Sequence, residues 1–184
     1  MNGTNKGFLE RFSLFELILL ALIAAAGIAA KPIVIAISHL ITGPLLIPGG
    51  ALAGGFYMLF VVLGGALVGK RGGATLVCLI QSLLVLTSGV YGSHGAASVI
   101  TYVVPGLLVD LLWIICRTSG ASLTACFFGG IVANISGSVL VNLVFFRLPP
   151  IPLLFTSVLA ALSGGLGGIV AWQIVKHFYS RFHS

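Results

Sequence analysis

Residues 50–74 read GALAGGFYMLFVVLGGALVGKRGGA, and the nineteen positions up to Val68 carry no charge. As an α-helix that run spans about 28 Å, close to the roughly 30 Å hydrocarbon core of a bilayer. It lacks the polar/apolar alternation of a porin strand, so a transmembrane helix is the only spanning form it supports. Lys70 and Arg71 close the run as interfacial anchors. The rest of the chain repeats the pattern: 59% of residues are hydrophobic, 7% are charged, and mean hydropathy is +1.20. These values describe an all-α integral membrane protein, expected as a single transmembrane domain over residues 1–184.

Apolar blocks predict about six helices, at residues 12–30, 50–68, 74–88, 96–116, 121–146 and 151–175. Between them lie turn signals at Gly43-Pro44 through Pro48-Gly49, Gly72-Gly73, Gly92 to Gly95, Ser119-Gly120 and Pro149-Pro150. An even number of spans puts Lys6, Arg11, Lys70, Arg71, Arg117, Lys176 and Arg181 on one side and leaves only Lys31 and Arg147 on the other. The positive-inside rule makes the first side cytoplasmic, with both termini there. Basic flanks of this kind account for the net charge of +6 without nucleic acid. The N-terminal run has the outline of a secretory signal, but Glu16 interrupts it and apolar sequence follows directly, so a retained first span is expected. Cys78, Cys116 and Cys126 form no CxxC pair and read as buried small hydrophobes.

Residues 31–49 are apolar and carry Pro32, Pro44 and Pro48. Two readings stand: an extension of the first helix followed by a turn, or a lid-like external loop resting on protein. Ala21, Ala25 and Ala29 recur at four-residue steps on the first helix, with Ala26 and Ala30 beside them. Such a ridge permits close backbone approach, either to a neighbouring helix or to a partner protein.

Polar residues within the spans gather in stripes. His94, Ser98, Thr101 and Tyr102 share a face of the fourth helix, and Asn134, Ser138 and Asn142 share one on the fifth. Gln81 lies in the third helix and Tyr91 in the turn after it. Interhelical hydrogen bonding is one use for these groups. The other is a polar pocket for a small molecule, open to the outside. Asp110 is the one acid well inside a span, and intramembrane acids are functional suspects; it serves either coupling or structure, with Arg117 as an available partner. Catalysis has little to build on. HExxH, GxSxG and paired carboxylates are absent, and the GxxxxGK formed by Gly64, Gly69 and Lys70 has Arg71 where a P-loop needs Ser or Thr. No enzyme activity, cofactor or metal is expected.

The Gly43-Pro44 turn, the glycine-rich second helix ending in Gly69-Lys70-Arg71-Gly72-Gly73-Ala74, the Ser88-Gly89 turn, and Pro105-Gly106-Leu107 followed by Asp110 form a pattern. Over residues 43–113 it resembles the substrate-binding S components of energy-coupling factor (ECF) transporters, most nearly the YkoE type. That resemblance implies a prokaryotic cytoplasmic-membrane subunit that captures a vitamin or vitamin precursor from outside. It implies docking on a transmembrane coupling protein (EcfT-like) carrying two ATPase subunits, followed by toppling in the bilayer to release cargo inwards. In that class the alanine-rich first helix is the docking surface, which maps onto Ala21, Ala25 and Ala29. A thiamine- or hydroxymethylpyrimidine-like ligand is the first expectation. A neutral ligand held by Gln81, Tyr91, Tyr102, Asn134 and Asn142 is equally consistent, since Asp110 lies towards the other side. The chain opens Met1-Asn2-Gly3, without the histidine that nickel and cobalt S components carry after the initiator methionine. Two rivals remain: a self-sufficient secondary transporter or channel using Asp110, and a membrane enzyme or assembly factor.

Overall fold

The first helix continues well past its expected end. In the computed structural model, which describes residues 7–42, 49–88 and 97–182, α1 covers Leu14–Thr42 and passes through Pro32. Proline lacks one backbone donor, but the apolar run on either side keeps the segment helical. Residues 31–42 are therefore an extension of the helix and not an external loop; the remaining loop signals, from Gly43 to Pro48, lie outside the described residues. At 29 residues α1 is about 43 Å long.

Its start explains why Glu16 stands in an apolar run. The Glu16 backbone N–H donates to Ser13 Oγ (3.2 Å) while Ser13 N–H donates to Glu16 Oε2 (2.7 Å), a reciprocal capping box. Lys70 Nζ lies 2.6 Å from the same Glu16 oxygen and donates to the Arg11 carbonyl, tying the start of α1 to the turn after α2. A 3-10 turn at Phe8–Arg11 precedes it, and Phe8 fills the space beside Gly72, where positive φ (93°) and the ring leave no room for a Cβ.

The other helices are α2 (Gly49–Val68), α3 (Gly73–Ser88), α4 (Ala97–Ile115), α5 (Leu123–Val141) and α6 (Pro150–Phe182). A π-helical turn, Asn142–Phe146, ends α5. The sixth helix runs about two turns beyond its expected end at residue 175. Around the bundle the order is α1, α3, α4, α5, α6 and back to α2, which also touches α3 and α5 across the middle. Among the described residues six α-helices match the sequence expectation. Among the described residues four are long and apolar enough to cross a membrane, over Leu14–Ser38, Ala51–Val68, Leu123–Phe146 and Pro150–Tyr179. Gly73–Thr87 and Val99–Ile115 are apolar but shorter. Large apolar side chains such as Leu14, Leu22, Leu40, Ile151, Leu162 and Leu166 stand exposed on the outside of the bundle, which suits lipid and not water.

Glycine brings α5 and α6 into backbone contact. A Cβ at Gly130 would overlap the carbonyl oxygen of Gly164, and one at Gly168 would overlap that of Cys126. On the other side of α6, Gly55 of α2 meets Ser163 and Gly167 in the same way. Of the cysteines, Cys78 and Cys126 are buried as expected, whereas Cys116 is exposed because it follows the last turn of α4.

Candidate functional site

Lys31 faces the inside of the bundle. Its neighbours Pro32 and Ile33 are exposed, but the lysine is half-buried and its Nζ donates to the hydroxyl of Tyr102 on α4. The ammonium also lies 4.1 Å from the Tyr102 ring centroid and 5.0 Å from that of Tyr57 on α2, a geometry that favours a cation. One turn back along α1, Gly27 has no side chain, and the amide of Gln81 from α3 occupies that space; a Cβ there would come within 2.5 Å of Gln81 Nε2. Gln81 is 5% exposed and Thr101, beside Tyr102, is buried. Four helices thus bring Lys31, Tyr57, Gln81 and Tyr102 to one region.

Two features mark that region chemically. The Tyr57 hydroxyl is buried and has no hydrogen-bond partner among the described residues. The ammonium has no carboxylate. The chain contains three acids, Glu10, Glu16 and Asp110. Glu16 lies fifteen residues back along α1, about 22 Å away, and Asp110 is eight residues along α4 from Tyr102, about 12 Å.

The fifth-helix stripe is placed elsewhere. Asn134 is 1% exposed, and its Nδ2 donates to the carbonyls of Ala51 on α2 (3.1 Å) and Ala160 on α6 (2.9 Å). Gly54 leaves room for its Oδ1. Asn142 Oδ1 accepts from Leu148 N–H at 3.0 Å and so shapes the turn into α6. Ser138 is half-buried between them. Tyr91 and His94 lie outside the described residues, as does the side chain of Ser98.

Asp110 sits at the Lys70–Arg71 end of the bundle, 6% exposed. Its Oδ2 accepts from the backbone N–H (2.8 Å) and hydroxyl (2.5 Å) of Thr75 in the first turn of α3, where a carboxylate complements unpaired amides and the helix dipole. Among the described residues it makes no ion pair with Arg117. The cleft it borders, with Lys70, Trp113 and Thr118, holds about 20 Å3, too little for an organic solute. Replacing Asp110 with Ala should lower unfolding stability by about 1–2 kcal/mol, as loss of a helix cap does. Asp110→Asn, which keeps an acceptor, should lose less. Thermal denaturation in detergent reads both, and a wild-type melting temperature for Asp110→Ala would remove the capping role.

Sequence reasoning missed Lys31 and Tyr57. Lys31 reads as a flanking charge after an apolar run; the usable signal is that a lysine precedes eleven more residues of uncharged, helix-compatible sequence with no acid to pair with.

The chain matches the family model described as "ABC-type cobalt transport system, permease component" over residues 15–136. Among solved structures, a crystal structure of an S-component of an ECF transporter aligns with a TM-score of 0.73 at 17% identity, covering 91% of this chain and 85% of that one. No curated protein matches. The structural likeness establishes an S-component-like fold, with the helical architecture and apolar outer surface of a multi-pass membrane protein. Since the family model spans most of that fold, from the second residue of α1 into α5, the chain belongs to the family of ABC-type cobalt transport system permease components.

Proposed function

We propose that this chain is the substrate-capture subunit of an ECF-type importer for a vitamin or vitamin precursor. The carrying observation is the outer face of α1: Ala25, Ala26 and Ala29 are exposed, although α1 packs firmly on α2 and α3 with its other side. An apolar but flat strip on a membrane helix suits close contact with another protein, here a transmembrane coupling protein bound to two ATPases. Ligand enters at the end where Lys31, Tyr57, Gln81 and Tyr102 meet. The Lys70–Arg71 end and both termini face the cytoplasm of a prokaryotic cell. The protein performs no chemistry of its own.

Reconstitution tests this directly. Proteoliposomes holding the chain with a coupling protein and both ATPases should accumulate labelled vitamin when ATP is inside with the ATPases, and the chain alone should bind without accumulating. Accumulation by the chain alone would favour a secondary transporter. Co²⁺ belongs in the same panel because the family's description names cobalt.

A further inference from the structure

We infer that the captured substrate is a carboxylic acid, whose carboxylate is held by Lys31 together with the hydroxyls of Tyr57 and Tyr102. The inference rests on the capture reading above and narrows it to a charge class. An ammonium has three donors, and among the described residues Lys31 gives one, to Tyr102. The Tyr57 hydroxyl is a buried donor that no acceptor among the described residues reaches. Leaving such a group unpaired is costly, and an acceptor brought by a ligand would relieve that cost. No acid of the chain reaches the site, because all three belong to the opposite end.

What the cluster lacks is an anion with more than one acceptor oxygen. A carboxylate supplies two oxygens and one negative charge, matching one ammonium and the tyrosine donors beside it. A phosphate monoester carries close to two charges at neutral pH and would leave an unbalanced negative charge between the helices. A cation such as thiamine would meet the Lys31 ammonium head-on. Gln81, one turn away, adds an amide that discriminates the polar remainder of the molecule.

The test measures binding to the purified full-length chain in nanodiscs, using acid/neutral pairs: nicotinate and nicotinamide, pantothenate and panthenol, biotin and biotinamide. Thiamine and hydroxymethylpyrimidine serve as the cationic and neutral comparators. One acid should bind about 10- to 100-fold more tightly than its neutral partner, the range expected for hydrogen bonds to a charged group. Lys31→Gln should abolish that difference and Lys31→Arg should retain part of it. Tyr57→Phe provides an independent reading, because removing an unsatisfied hydroxyl should not lower the melting temperature while acid affinity falls. Equal binding of acid and neutral partner, preferential binding of thiamine, or unchanged acid affinity in Tyr57→Phe would each overturn the inference. Binding of a neutral or cationic compound with ATP-driven uptake would leave the capture reading standing. Binding of nothing by the chain, with no uptake by the full assembly, would overturn both.

Discussion

Gly130→Ala is expected to be among the most damaging single-methyl substitutions in this chain, lowering stability by about 3 kcal/mol or more. Overpacking usually costs about 1–3 kcal/mol because neighbouring side chains rotate away. Here the obstacle is backbone: the new Cβ would overlap the Gly164 carbonyl oxygen and lie 3.0 Å from the Gly168 nitrogen. Relief requires α5 and α6 to separate, and Asn134 stands one turn further along the same contact. Its amide bonds to Ala51 and Ala160 bridge the helices that would have to part, so a shift for Gly130 also strains that bridge. Gly129→Ala is the matched control, one residue away on α5. Its Cβ would lie 3.3 Å from the buried Trp113 ring, a side chain that need give only a few tenths of an ångström, so a smaller loss of about 1 kcal/mol is expected. Size-exclusion profiles after graded heating in detergent would compare them. A Gly130→Ala protein that survives to the wild-type temperature would mean that α5 and α6 do not touch as described.

The second large effect concerns assembly. Ala25→Trp should reduce recovery of the complex with the coupling protein at least about tenfold and abolish ATP-driven uptake, with ligand affinity unchanged. The alanine ridge expected from the sequence is only partly outward. Ala21 is half-buried, while Ala25, Ala26 and Ala29 form the exposed strip between Leu22 and Ile33. Close helix approach depends on small side chains, and an indole there holds two backbones apart. Because residue 25 is exposed, the isolated chain should tolerate the change, which separates docking from folding. Ala29→Trp should behave alike. Normal complex recovery in both would remove the docking role from this face, and weakened ligand binding with normal recovery would place it near the pocket instead.

Helix count and type were legible because charge-free runs of bilayer length have few alternative folds. The second and third helices begin within one residue of expectation, at Gly49 and Gly73, because glycine turns and Lys70–Arg71 bracket them. Legibility failed where a residue type has two uses. Lys31-Pro32 looks like punctuation, yet both lie inside α1, since helical neighbours on each side outweigh one missing donor. Helical spacing correctly put Asn134, Ser138 and Asn142 on one face. It could not say that Asn134 bonds to carbonyls 83 and 26 residues away, because main-chain acceptors leave no mark in a sequence. The tyrosines of the candidate site had the same difficulty: Tyr57 and Tyr102 become a pair only through the lysine between their rings.

The placement of the acids bears on how transport can be powered. Glu10 accepts from Gly7 N–H, Glu16 from Ser13 N–H and Asp110, through Oδ2, from Thr75 N–H, so each Asp and Glu side chain sits at a helix start at the Lys70–Arg71 end. Carriers driven by a proton gradient need acidic stepping stones part-way across the bilayer, where a proton can rest while the protein changes shape. Along this bundle no Asp or Glu lies between Asp110 and Lys31. On the proposed capture reading, a solute held near Lys31 at the far end is moved by work done on the subunit as a whole.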